Sequence, residues 1–325
     1  MAQPVGLADV QAAQKVISGV LHRTPTVTSG QLSRRIGADI FLKAELFQKT
    51  GSFKARGVVN RLHHLTALER ERGLITVSSG NHAQALAWAA GEAGIAATVF
   101  MPASASPVKV EASTEYGAKV VLHETVHEAL AKADAVVANE GLVMIHPFDD
   151  PRIIAGAGTL GLEIAEDVEG VDVVVCPVGG GGLLSGVAVA IRGLYPKARI
   201  IGVEPEGAAV MTQALAAGSL VRLETTNTVA DGLAPPTAGV LTLEIAQLLV
   251  DEVVTMPDEE ILEGMRALMR YAKLFAEPSG GAAFGALLSG RVAVRRGERV
   301  VAIVSGGNLD LERLRTLAAG TQATS

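Results

Sequence analysis

Lys54 stands in an unfavourable place for a cation. Thr50-Gly51-Ser52-Phe53-Lys54-Ala55-Arg56-Gly57 reads as a helix start with Ser52 as N-cap, and Val58, Val59, Leu62 and Leu65 continue it at helical spacing. Lys54 then falls in the first turn, where the helix dipole disfavours positive charge, and Lys49 and Arg56 add more of it nearby. Such a placement depresses an amine pKa and makes a nucleophile near neutral pH. The alternative is an ordinary lysine reaching into solvent.

Three glycine-rich loops accompany it. Gly179, Gly180, Gly181 and Gly182 lie between an apolar strand pattern and a helix beginning near Leu183. Four residues without Cβ let backbone N–H groups approach an anion, and a helix N-terminus adds partial positive charge. A bound phosphate is one reading and a tight strand–helix turn the other. The loop is not a P-loop, because no Gly-Lys-Ser/Thr follows, and no start within it satisfies G-x-G-x-x-G. Ser305-Gly306-Gly307-Asn308 ends a strand with a hydroxyl, or is simply a polar turn. Ser78-Ser79-Gly80-Asn81-His82 groups several polar side chains, although His82 taken alone reads first as a structural histidine. A reactive lysine, a phosphate cradle and a hydroxyl at a strand end are together what pyridoxal 5′-phosphate needs.

The elements that must position these loops alternate. Leu74–Ser78, Ala97–Met101, Ala118–Leu122, Val171–Cys176, Arg199–Glu204 and Arg299–Val304 read as strands. Ala83–Ala93 and Leu183–Leu194 read as helices. Alternation of this kind predicts an α/β fold of parallel-rich sheets with crossover helices, and ligands bind such sheets beyond the strands' carboxyl ends. The three glycine loops follow Val77, Cys176 and Val304, at those ends. The chain of 325 residues exceeds what one core usually supports, so two lobes are expected. We place a small substrate-side domain at 46–146, inserted into a large cofactor-binding domain of 1–45 plus 147–325.

Composition narrows the partners. Aromatic residues make up 3% and the net charge is −6, which argues against base stacking and against a phosphate-backbone binder, so no nucleic acid is expected. One cysteine, Cys176, fits a small buried residue in a reducing compartment. The start, Met1 to Gly6, lacks a signal-peptide pattern, and no apolar run is long enough to span a bilayer. A cytoplasmic protein with no membrane partner is expected, with a frayed tail from Thr321 to Ser325.

The chain resembles the fold-type II pyridoxal-phosphate enzymes (tryptophan synthase β-like), in the threonine/serine dehydratase and serine racemase branch. The resemblance is carried, in order and over nearly the whole chain, by Gln48 to Gly57, Ser78 to Gln84, His146-Pro147-Phe148-Asp149-Asp150, Pro177 to Leu183, Ala230-Asp231-Gly232, Glu277-Pro278-Ser279-Gly280 and Ser305 to Asn308. It implies that Lys54 forms the Schiff base and serves as acid and base at the substrate Cα. Phe53 would pack on the cofactor ring, with Gly232 leaving room on the other side. Asn81 would meet the ring's 3′-oxygen, Gly179 to Gly182 the phosphate and Ser305 the pyridine nitrogen. Ser78, Ser79, Gly80, Asn81 and His82 would line the substrate carboxylate site.

The implied activity is dehydration of L-threonine or L-serine to a 2-oxo acid and ammonia. A serine at the pyridine nitrogen, unlike a carboxylate, favours elimination over transamination. Ser79 opens an alternative. Where many dehydratases have Ser-Ala-Gly-Asn, this chain has Ser78-Ser79-Gly80-Asn81, so Ser79 is either a second acid/base for racemisation or only a carboxylate ligand. A non-catalytic cofactor-binding or amino-acid-binding protein and a β-replacement enzyme rank lower. The branch often carries a divalent cation. Glu204 and the Ala208 carbonyl match that site, but Val210 stands where an aspartate is expected, so no metal ligand set is assigned. The stretch His123 to Glu128 lacks an arginine, which disfavours an acidic substrate side chain, and His127 reads as a surface residue. A homodimer is implied. The chain ends soon after its last strand, so no C-terminal amino-acid-sensing domain is expected.

Overall fold

The computed structural model describes residues 4–103, 105 and 107–318, so Met1 to Gln3 and the tail Thr321 to Ser325 lie outside the described residues. Ten strands are present among them: β1 (Thr26–Thr28), β2 (Asp39–Ala44), β3 (Leu74–Val77), β4 (Ala97–Pro102), β5 (Lys119–His123), β6 (Val143–Met144), β7 (Val173–Pro177), β8 (Arg199–Pro205), β9 (Glu252–Met256) and β10 (Arg299–Val304). They form a six-stranded sheet in the order β1-β2-β10-β7-β8-β9 and a four-stranded sheet in the order β5-β4-β3-β6. Every pairing is parallel except β1 with β2. Among the described residues, no helix is long and apolar enough to cross a membrane.

The six predicted strands appear within two residues of their expected limits. Parallel strands covered on both faces are apolar throughout, and β7 is buried along its whole length. Four strands went unread: β1, β2, β6 and β9. β6 has only two residues, and β9 is only partly buried along most of its length. β2 has Lys43 at a fully buried position, which breaks the expected apolar pattern.

Three helices matter most to the site. The lysine helix is Lys54–His63, the central helix Pro151–Asp167, and the glycine-loop helix Gly182–Leu194. The central helix begins well: Asp150 caps it, its carboxylate accepting from the Arg152 and Ile153 N–H groups, and Pro151 occupies the first turn. Further along it come Gly156, Gly158 and Gly161, all buried. A Cβ on Gly156 would sit 2.4 Å from the Arg56 carbonyl oxygen and 2.7 Å from Gly57 Cα, on the lysine helix. A Cβ on Gly186 would sit 2.4 Å from the Ile154 carbonyl oxygen and 2.5 Å from Gly158 N. The central helix therefore touches both neighbours backbone to backbone.

The start of the lysine helix corrects the expected cap. Ser52 is extended (φ −160°, ψ 163°) and bridges to Gly306, and its hydroxyl is buried without a partner. Phe53 precedes the helix and caps nothing with its side chain, while its N–H donates to the Ser305 carbonyl at 3.1 Å. A tertiary bridge to the end of β10 has replaced the local cap.

The close contacts set an expectation. Alanine at an interior helix position is ordinarily favoured over glycine by about 1 kcal/mol. Gly156→Ala should instead destabilise by about 1–3 kcal/mol, because backbone atoms cannot move aside as side chains do. Urea unfolding of the two proteins measures the difference, and an equal or higher midpoint for the variant would contradict the contact.

Candidate active site

The carboxyl ends of β3, β7 and β10 converge on one cavity of about 470 Å³. Its wall includes Phe53 and Lys54, Ser78 to His82, Gly179 to Gly182, Gly232 and Ser305. Residues read from widely separated stretches of sequence thus share a single space. Glu277, Ser279, Asp231 and Lys109 line it as well.

Lys54 is half-buried on this wall and donates from Nζ to the Pro147 carbonyl at 2.8 Å. Burial lowers its pKa to about 8. The direction is the expected one and the cause is not. Lys49 lies over the Trp88 ring, 5.7 Å from its centroid, and Arg56 is turned away into a cluster of carboxylates. Loss of water, with no carboxylate in compensation, is what weakens the ammonium. Nζ is also 5.1 Å from the centroid of the Phe53 ring.

The glycine loop is shaped from behind. Gly181 has φ +94°, the left-handed region that favours glycine, and starts the helix. A Cβ on Gly180 would sit 2.4 Å from the Phe148 ring, and one on Gly182 2.9 Å from Phe148 Cβ. The Gly180 carbonyl accepts from Thr242 Oγ1 at 2.7 Å. The N–H groups of the first helical turn have no partner within their helix, so the loop can offer donors to an anion.

Asn81 begins the helix Asn81–Glu92. Its amide is held on both sides: Nδ2 donates to Glu277 Oε1 at 2.6 Å, and Oδ1 accepts from Asn308 Nδ2 at 2.8 Å. Glu277 is buried, and burial, followed by the nearby Asp231, pushes its pKa up to about 7. Glu277 was quoted above only as part of a motif; its role needs Asn81, far away in sequence. Asp231 is bound by Lys109 at 2.6 Å and Arg313 at 3.1 Å, a cluster no local pattern announces.

His82 is a buried, neutral histidine. Nε2–H donates to the Ile145 carbonyl at 3.0 Å, burial and then Lys54 lower its pKa to about 3, and Nδ1 is left without a partner. His127 is exposed and Cys176 buried, as expected.

The cavity fits the cofactor on polar grounds. Ser279 Oγ is buried, lines the wall and has no partner. Ser305 Oγ beside it makes one long bond, 3.4 Å, to the Ser279 carbonyl. Two underused hydroxyls suit a ring nitrogen, and the glycine loop suits a phosphate. A divalent cation does not fit at Glu204. Its carboxylate accepts from Met211 N at 2.7 Å, Thr212 N at 2.8 Å and Thr212 Oγ1 at 2.7 Å, and Val210 offers no side-chain ligand. Among the described residues, no cluster of three acidic, histidine or cysteine side chains could hold a metal.

Two parallel-rich sheets, with a lysine and a glycine loop facing one cavity between them, define a fold-type II pyridoxal-phosphate enzyme. The chain belongs to the pyridoxal-phosphate dependent enzyme family, whose model matches residues 17–306. L-threonine ammonia-lyase of Thermotoga maritima is 43% identical over 95% of this chain and 77% of that protein. The catabolic L-threonine dehydratase TdcB of Escherichia coli is 42% identical over 96% of this chain and 95% of that one. The solved structure of maize serine racemase superposes with a TM-score of 0.92 at 36% identity, covering 97% of each chain.

Burial of Lys54 fixes a pH dependence. Burial disfavours the ammonium, so the reactive neutral amine is half-formed near pH 8 rather than near 10.5. Cofactor uptake by the apoprotein, followed by absorbance, should accelerate from pH 6 through about 8 and level off above it. A rate still climbing tenfold per pH unit beyond pH 9 would contradict this assignment. At Glu204, Mg²⁺, Ca²⁺ and EDTA should each leave the melting temperature unchanged, and a rise with either cation would show a site there.

Proposed function

We propose that the protein dehydrates L-threonine and L-serine, releasing ammonia and a 2-oxo acid. The observation that carries this is Lys54: a half-buried lysine whose amine has a lowered pKa and no carboxylate partner, in one cavity with the four-glycine loop and with Ser78 to Asn81. The named relatives support the same reading.

When bound, pyridoxal phosphate supplies an electron sink for the pair left at the substrate Cα. Lys54 would hold the cofactor, and its amine would take the proton from the substrate Cα. Its depressed pKa keeps a fraction of the amine neutral near pH 7. Backbone N–H groups of the turn after Ser78, whose own N–H is bonded to the Phe100 carbonyl, would receive the substrate carboxylate, beside the Ser78 and Ser79 hydroxyls. His82 stays neutral behind that turn and adds no charge to it. Gly179 to Gly182 would hold the phosphate, Ser305 would meet the ring nitrogen, Phe53 would pack on the ring and Gly232 would give it room, all of them lining the one cavity. Asn81 would meet the ring's 3′-oxygen, and its bonds to Glu277 and Asn308 fix the orientation of its amide. The β-hydroxyl leaves as water, and hydrolysis of the released enamine gives the 2-oxo acid and ammonia.

The same reading assigns residues 46–146 to a substrate-side domain and the remainder to a cofactor domain. Their strands fall in the four-stranded and six-stranded sheets respectively. It also takes the protein as a cytoplasmic homodimer.

A second reading, racemisation of the amino acid, is favoured by Ser79 alone, which lines the cavity and carries a hydroxyl where an alanine would leave none. Cofactor-loaded protein given L-threonine should form 2-oxobutanoate, and absence of any 2-oxo acid from threonine and serine would sink the first reading. Lys54→Ala should lower the rate by at least about 1,000-fold. Chiral analysis after incubation with L-serine tests the second. If D-serine appears, Ser79→Ala should reduce its formation by about 100-fold or more while leaving elimination of the L-isomer within about threefold.

A further inference from the structure

We infer that Arg56 is a positioning residue for Lys54, acting through a buried ionic frame that joins the lysine helix to β2 and the central helix. This rests on the reading that Lys54 carries the cofactor. Arg56 stands two residues beyond Lys54 and is fully buried. Its guanidinium forms two forks. Nε and Nη2 each lie 2.8 Å from the two oxygens of Glu45, just past β2. Nη1 and Nη2 lie 2.6 and 2.9 Å from the two oxygens of Glu163, on the central helix. Nη1 also donates to Thr159 Oγ1 at 3.1 Å and Nη2 to Thr24 Oγ1 at 3.3 Å. Every donor the side chain owns is thereby directed.

The carboxylates are held in turn. Thr24 Oγ1 donates to Glu45 at 2.5 Å, and Lys43 Nζ sits 2.8 Å from Glu163 and 3.3 Å from Asp167. Burying so many charges costs more than apolar packing would, so stability alone does not account for the frame. Direction does. Two planar forks fix the first turn of the lysine helix in distance and angle against two separate elements. On the other side of Lys54, Phe53 N–H is bound to the Ser305 carbonyl. The amine is bracketed by anchors at the preceding residue and at the next residue but one. None of Arg56, Glu45 and Glu163 lines the cavity.

Arg56→Lys tests this in the cofactor-loaded protein, since it keeps the charge and loses both forks. It should lower kcat for 2-oxo acid formation by about 10- to 100-fold, because small misplacements of a reacting group cost that much. KM should move by less than about threefold, and the absorption band of bound cofactor should shift or weaken. Glu163→Gln, which keeps the shape and removes one charge, should do the same more mildly and covers the case of an Arg56 variant that does not fold. Folded variants with wild-type kcat and wild-type spectrum, differing only in melting temperature, would make the frame a stability element and overturn the inference. Borohydride reduction followed by peptide mass analysis separates the two readings. Wild-type label on a lysine other than Lys54 refutes the underlying assignment, whereas label on Lys54 with unchanged kinetics refutes only the positioning role.

Discussion

The site depends on how closely three helices approach one another. The proposed chemistry needs an amine and a phosphate cradle at a fixed separation, and the two candidates are carried by different helices, Lys54–His63 and Gly182–Leu194. Neither helix could set that separation by itself. Both press on the central helix through glycines, Gly57 against Ile153 and Gly156 on one side, Gly186 against Ile154 and Gly158 on the other. Contact between backbones leaves almost no slack, whereas side chains between them would adjust by rotamer changes. The central helix works as a spacer of one invariant thickness.

Charge is handled in two opposite ways within a few residues. Lys43 and Arg56 are buried and matched to Glu45, Glu163 and Asp167. Lys54 is given only a neutral carbonyl, and the same loss of water that is compensated for its neighbours lowers its pKa. Reactivity here comes from a partner withheld. Glu204 shows the same economy with the sign reversed. A buried carboxylate is satisfied by the first N–H groups of the helix Val210–Ala217 and by Thr212, without any cation.

Much of this was legible in the sequence, and the gaps have physical causes. Buried parallel strands are apolar runs, so β3, β4, β5, β7, β8 and β10 could be read, and with them the loops at their ends. β2 was hidden because Lys43 interrupts its pattern, and the reason for Lys43 lies on a helix more than a hundred residues later. Ser52 was misread for a related reason: local spacing marked it as a cap, and a bridge to Gly306 overrode it. The placement of Lys54, the glycine loop and Ser305 in one cavity follows from strand order. The partnership of Asn81 with Glu277, and of Asp231 with Lys109 and Arg313, does not, because these pairs meet only once the chain is folded.

The backbone tie between Phe53 and Ser305, with the Ser52–Gly306 bridge beside it, has a mechanical consequence. It fastens the chain just before Lys54 to the carboxyl end of β10, an interior strand of the six-stranded sheet, although the strands that follow build the other sheet. If the two sheets part, the Ser78–Asn81 turn can travel with β3 only by releasing Asn81 from Glu277 and Asn308, while Lys54 stays with β10. Widening of the cleft and the position of the lysine then become separate degrees of freedom. Beyond its first turn the lysine helix stays with the start of the central helix as well, through Asn60 on the Arg152 carbonyl and Arg61 on Asp150.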